Sequence, residues 1–244
     1  MTLNRPDARN AVNSEVTSIL GRALELLTRD SELRVGVLTG TGPAFCAGQD
    51  LKAFAAGEPV IPAQNPEWGF GGFVSHFTPK PLIAAVNGFA FGGGFELALA
   101  CDLIVASDTA SFALPEVTVG LFAAGGGAPR IVQQLPPKVG ARMIFTGEPM
   151  SAADALRWGL VNEVVAPELL EQTALELAHT IAANAPVAVQ ASKKVLAAEG
   201  HSTTWTPDAW ELVMKEFDTV FGSQDAAEGA QAFVEKRAPQ WKGR

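Results

Sequence analysis

The sequence predicts an α/β fold, a spiral of repeated β-β-α units followed by a helical C-terminal region. Three observations carry this reading. A unit of apolar strand, glycine-rich or polar turn, short second strand and helix recurs over 35–51 and 82–101, and in part from 103 to 113. From Gly125-Gly126-Gly127 onward the pattern turns mainly helical. Hydrophobic residues make up 48% of the 244, enough for a sizeable core. The spacing of the units is uneven, so the repeat is one of structure rather than of sequence.

Each element has a local reason. The opening stretch, 3–10, reads as a strand end and a loop, because Pro6 excludes a helix interior. Asn13 or Ser14 can cap a helix reaching Arg29, with Val16, Ile19, Leu20, Ala23, Leu24 and Leu27 at helical spacing. Val35-Gly36-Val37-Leu38-Thr39 is a buried strand broken by Gly40-Thr41-Gly42-Pro43. From Ala55 to Phe77 the chain is rich in Gly, Pro and aromatic residues and has no period, the character of a binding or mobile loop. Trp68, Phe70, Phe73 and Phe77 in it read as lid or core packing, with a specific pocket as the alternative.

Leu82-Ile83-Ala84-Ala85-Val86 is a strand leading through Asn87-Gly88 to Phe91-Gly92-Gly93-Gly94-Phe95-Glu96, and the helix-like run 97–101 leads out. Strand pieces follow at 103–106 and 111–113. Ser151 and Asp154 form a near capping box, with Asp where Glu is usual. A late strand spans 160–165, and helices run from Pro167 to about Asn184 and from Pro186 to about Glu199. Two more are expected over 207–221 and 224–234. A soft boundary near Gly200 separates a core of residues 1–200 from a helical region, 201–244. Trp210, Leu212, Val213, Phe217, Val220, Phe221, Ala230 and Phe233 exceed one core-facing stripe, which predicts burial against another subunit or back on the core.

Composition narrows the function. A net charge of −8 with no basic run argues against nucleic-acid binding. No apolar run reaches the roughly 18 residues a membrane span needs, and no signal peptide is visible at Met1. Cys46 and Cys101, the only cysteines, argue against a disulfide framework and fit a cytoplasmic protein. His76, His179 and His201 share no ligand spacing with them, so no zinc site is expected. Nucleophile-elbow, phosphate-loop and dinucleotide fingerprints are absent.

What remains is the triple glycine and two glutamates. Three glycines let the backbone approach a ligand closely and leave N–H groups free at a helix start, a site for a developing anion. Glu96 follows them, and Glu116 follows Pro115 in Phe112-Ala113-Leu114-Pro115-Glu116. Two carboxylates facing one site can hold a water, one taking its proton while the other delivers a proton to carbon. Each glutamate also sits where helix starts favour an acid, so the pattern alone supports either role. Asp50 in Gly48-Gln49-Asp50 reads as a helix cap, and Cys46 as a small core residue.

Together these motifs resemble the crotonase (enoyl-CoA hydratase/isomerase) superfamily. The similar stretches are Leu3-Asn4-Arg5-Pro6 with Asn10-Ala11, Ala44 through Lys52, Ala85-Val86-Asn87-Gly88 with Gly92 through Glu96, and Ala100-Cys101-Asp102. Phe112 with Pro115-Glu116, Gly125-Gly126, Thr146-Gly147 and Ala155 with Gly159-Leu160-Val161 continue it in order. Within the superfamily, 91–100, 111–116, 155–162 and the ending from Glu235 are similar to the carnitinyl-CoA dehydratase subgroup.

The resemblance implies a crotonase-like spiral, enoyl-CoA hydratase activity and a role in fatty acid metabolism, with coenzyme A as part of the substrate and no metal or other cofactor. The backbone N–H groups of Gln49 and Gly93 correspond to an oxyanion hole for the thioester carbonyl. Glu96 then matches the base on water and Glu116 the proton donor to the α-carbon. Ala47, Gln49, Asp50, Leu51 and Lys52, together with Gly92, Gly93 and the loop at Ala8-Arg9, correspond to the CoA and acyl wall. Homotrimers, or dimers of trimers, follow by the same likeness, with no nucleic-acid or membrane partner. Isomerisation, thioester hydrolysis, carnitinyl-CoA dehydration and a non-catalytic RNA-binding role are the alternatives. Two departures stand out. Chains of this kind carry a strand or hairpin before Leu3, whereas Met1 nearly abuts it here, so an exposed sheet edge is expected. Phe122-Ala123-Ala124 also replaces a Pro-Gly after the second glutamate, which alters the acyl pocket.

Overall fold

The computed structural model describes residues 1–198, 215, 219 and 222–244. Its centre is a five-stranded parallel sheet in the order β1-β2-β4-β6-β9, formed by Thr2–Leu3, Gly36–Gly40, Leu82–Val86, Leu103–Ser107 and Glu163–Val165. All five residues of β4 are buried, because the sheet is covered on both faces. Alternation divides them. Ile83 and Ala85 pack with Val105 against Leu170, Ala174 and Ala178 of helix α7, Leu170–Ala182. Leu82, Ala84 and Val86 point into the main core with Leu38, Phe95 and Phe112. Among the described residues β1, two residues long, is the outermost strand of this sheet.

A second sheet, β3-β5-β7-β8, comprises Ala44–Cys46, Phe89–Phe91, Ser111–Ala113 and Met150–Ser151. Its first three strands run parallel, and β8 is antiparallel. Each sequence unit therefore contributes one strand to each sheet, as the β-β-α reading requires.

Helix α1, Ser14–Arg29, is capped by Asn13, whose Oδ1 accepts from the Val16 N–H at 3.1 Å, and it buries Leu20, Leu24 and Leu27. Helix α2 spans Leu51–Ala55 and α3 spans Gly93–Leu99, so the triple glycine forms the start of α3. The third unit closes on a short 3-10 turn, Pro115–Val119, in place of a full helix. Helices α4 (Gly127–Gln134), α5 (Pro137–Thr146) and α6 (Ala152–Arg157) follow. Ser151 caps α6 by accepting from the Asp154 N–H at 3.1 Å. The late strand is shorter than expected: Asn162 uses its side chain to accept from the Ile104 N–H, leaving only 163–165 in the ladder. Pro167 opens a 3-10 turn ahead of α7, and α8 spans Pro186–Ala198.

Helix α9, Gln224–Glu235, matches the last expected helix. The chain after it returns to the core. The Trp241 indole donates to Ala183 O at 2.7 Å, and the buried Asp225 carboxylate accepts from the Lys242 and Gly243 N–H groups. The boundary near Gly200 and, apart from residues 215 and 219, the helix expected over 207–221, with Trp210, Leu212, Val213, Phe217, Val220 and Phe221, lie outside the described residues.

Candidate active site

Three parallel strands of the second sheet end at one cleft of about 840 Å³. β3 leads to Gly48-Gln49, β5 to Gly92-Gly93 and Glu96, and β7 to Pro115-Glu116, and all of these line the cleft. The carboxyl ends of parallel strands are where open α/β sheets bind ligands.

The glycines are required by close approach. Gly92 sits at φ 54° and donates its N–H to Ala113 O at 2.9 Å, which joins β5 to β7 at the turn into α3. A Cβ on Gly94 would stand 2.1 Å from Cys46 O, so α3 starts directly across β3. A Cβ on Gly48 would lie 3.0 Å from the Gly93 nitrogen, which puts the Gly48-Gln49 turn beside the start of α3. Among the described residues neither the Gln49 nor the Gly93 N–H has an acceptor. Two neighbouring residues of the cleft wall therefore each have a backbone donor without a partner among the described residues.

Glu96 is 4% exposed, in the first turn of α3. Its Oε1 accepts from the Gly127 N–H, the start of α4, at 2.9 Å. Burial pushes its pKa up to about 7, helped by the neighbouring Glu116 charge. The Gly127 and Gly125 N–H groups and the Arg130 guanidinium pull the other way. Glu116 is also raised, again by burial, and its Oε2 is buried with no hydrogen-bond partner among the described residues. Its Oε1 lies where a side chain at Gly92 would point, 3.3 Å from such a Cβ. The two carboxyls thus share one cleft and interact electrostatically, so their ionisations belong to the pair.

Other sequence candidates divide. Ala47, Gln49, Leu51, Gly92 and Gly93 line the cleft; Ala8, Arg9, Asp50 and Lys52 do not. Arg9, at φ 52°, accepts the Ala47 N–H on its carbonyl at 3.0 Å, so its loop braces the wall rather than forming it. Asp50 is committed twice. Its Oδ1 accepts from the Lys52 and Ala53 N–H groups at the start of α2, and its Oδ2 pairs with Arg5 at 3.1 Å. The Ala53 N–H first, then Arg5, holds its carboxyl below the usual range. Lys52 is exposed on α2.

Sequence reasoning missed three parts of the site. Gly125 lies against the Glu96 carboxylate, where a Cβ would stand 2.4 Å from Oε2 and displace it. Gly127 supplies the donor to Glu96. Arg130 lines the cleft one turn later on α4, its guanidinium donating to Gly125 O and Val74 O. The glycine run itself was the available signal, although its partner lies 31 residues away in sequence.

The arrangement can hold a carbonyl on two N–H groups and pass protons at two adjacent carbons. A family model described as enoyl-CoA hydratase/isomerase matches residues 1–244. The carnitinyl-CoA dehydratase of Salmonella typhi is 45% identical over 251 residues, covering 100% of this chain and 94% of its own. Among solved structures, an enoyl-CoA hydratase from Mycobacterium tuberculosis H37Rv is 45% identical with a TM-score of 0.94, covering 100% of this chain and 94% of its own. A carnitinyl-CoA hydratase from Mycobacterium avium is 54% identical with a TM-score of 0.79 at the same coverage.

Proposed function

This chain belongs to the enoyl-CoA hydratase/isomerase family, and from that premise we propose that it adds water reversibly across the double bond of a 2-enoyl-CoA thioester. One observation carries the reading: Glu96 and Glu116, both raised in pKa, line the same cleft as the Gln49 and Gly93 donors. The thioester oxygen accepts from the two N–H groups, which favour the enolate-like transition state over the substrate. Glu96 takes a proton from water as its oxygen bonds to the β-carbon, and Glu116 gives its proton to the α-carbon. Dehydration runs the same steps backward. A base with a pKa of about 7 is half ionised at neutral pH and matched to this task.

Coenzyme A is held along Ala47 and Leu51. Arg9, Ala8 and Asp50 shape that wall from behind, and Lys52 is available to the phosphates. The reaction needs no group beyond these side chains and backbone donors. The names of the Salmonella and Proteus relatives favour a second reading on the same residues, dehydration of carnitinyl-CoA. Loss of the conjugated enoyl thioester on adding crotonyl-CoA tests the first reading. Turnover of carnitinyl-CoA without turnover of crotonyl-CoA would transfer the assignment to the second, and inactivity on both would overturn the hydratase proposal.

The enzyme is further proposed to be cytoplasmic and to assemble as trimers, alone or in pairs, through the helical region 201–244. The apolar surplus of that region in the sequence supports assembly. Light scattering of the full chain at micromolar concentration should give a trimer or hexamer mass; a monomer mass would contradict the assembly.

A further inference from the structure

The aperiodic segment between α2 and β4 is not loosely placed. Trp68 and His76 stack at 4.1 Å between ring centroids, 8° from parallel. The imidazole Nδ1 lies 3.3 Å from Gly72 O, and Nε2 lies 3.1 Å from Glu25 Oε1 on α1. The Trp68 ring rests on Gly21 of α1, where a Cβ would stand 2.6 Å from it. Gly72, at φ 63°, is pressed on the same helix: its Cβ would meet Thr17 O at 2.5 Å. The Gly71 N–H donates to Val60 O at 2.8 Å and ties the two halves of the loop together.

Between these anchors stands Phe70. Its ring packs against the main core and also lines the cleft. A Cβ on Gly93 would meet two atoms of this ring at 2.5 Å, so the ring lies directly over the start of α3. Val60, Ile61, Gly69, Val74 and Ser75, all from the same segment, continue the cleft wall. No sequence motif singled out Phe70 for chemistry, and proton transfer has no use for it. Its position beside a proposed oxyanion donor gives it another.

We propose that Phe70, held over Gly93 by the Trp68–His76–Glu25 latch, is a specificity-determining residue that restricts the cleft to short acyl chains. This rests on the acyl-thioester reading above. An acyl chain whose carbonyl is held at Gly93 starts beside this ring, since the ring and Gly93 line the same cleft in direct contact. A fixed aromatic ring there leaves room for a short chain and crowds a long one, because close-packed surroundings yield little. Glu25, His76 and Trp68 are positioning residues: Glu25 acts through His76, and His76 through Trp68 and the Gly72 carbonyl.

Calorimetric binding of the unreactive saturated esters butyryl-CoA and decanoyl-CoA tests this without relying on turnover. In Phe70→Ala the ratio of decanoyl-CoA to butyryl-CoA affinity should rise at least about tenfold over wild type. Phe70→Leu, which keeps an apolar side chain, should move the ratio in the same direction by less and guards against misfolding of the alanine variant. Glu25→Gln, remote from the cleft, should shift the ratio the same way with butyryl-CoA affinity little changed. A ratio within twofold of wild type in both Phe70 variants would overturn the proposal. An unmoved ratio in Glu25→Gln together with a lower Tm would reduce the latch to a structural role. Failure of the hydratase reading shows separately, as absent turnover of crotonyl-CoA by the wild-type enzyme.

Discussion

Glu116→Gln is expected to lower kcat for crotonyl-CoA hydration at least about 100-fold, within the range for loss of a positioned acid or base. The thioester KM should stay near the wild-type value. Gln keeps the size of the side chain and can occupy the same 3-10 turn, but its amide cannot deliver a proton to the α-carbon. The wild-type Oε2 is buried and has no partner among the described residues, so the substitution removes no hydrogen bond to them at that atom. A structural role for Glu116 would therefore leave turnover largely intact. Steady-state kinetics decides between them, and retention of more than about a tenth of wild-type kcat would remove Glu116 from the proton-donor role.

Gly93→Val should be comparably damaging for a different reason. The new Cβ would meet the Phe70 ring at 2.5 Å, and the ring is fixed by its own packing. Either Phe70 moves into the cleft or the start of α3 tilts and turns the Gly93 N–H away from the thioester oxygen. Losing one such donor costs about 2.7–4 kcal/mol of barrier, roughly 10²–10³ in rate. Because the same change crowds the ester, affinity should fall along with turnover, unlike the pattern expected for Glu116→Gln. Unchanged affinity for a CoA thioester by calorimetry would show that Gly93 does not border the bound substrate.

The contrast between these two variants reflects what could be read from the chain. Glu116 was legible because Pro115 marks a helix start and a lone acid follows an apolar strand. The strand at Leu82–Val86 and the cap at Asn13 were legible for the same local reasons, period and turn chemistry. Phe70 was not, since its segment has no period and its meaning comes from Gly21, Glu25 and Gly93, elements far away in sequence. Asp50 was half legible. The cap could be predicted, but its pairing with Arg5, 45 residues earlier, could not. Glu96 was legible as a candidate, whereas the groups that set its proton affinity, Gly125, Gly127 and Arg130, are brought in by the next helix, α4, and the turn just before it. Local rules identify the residues that carry chemistry, and the fold alone supplies those that tune it.

The tuning is also where the proposal is most exposed. Glu96 must be ionised to take a proton from water, and Glu116 must hold one to give to carbon. Below a pH of about 7 Glu96 becomes protonated and hydration slows. Glu116, raised by burial, keeps its proton to higher pH than an ordinary carboxyl, and hydration slows again once that proton is lost. The active form of the pair carries one proton, so the profile is bell-shaped whichever carboxyl holds it more tightly. The direct measurement is kcat/KM for crotonyl-CoA hydration from about pH 5 to about pH 9 in the wild-type enzyme. A bell whose limbs bracket one singly protonated state, with one of them near pH 7, is the expected result. A flat profile across that range would contradict the shared-proton mechanism.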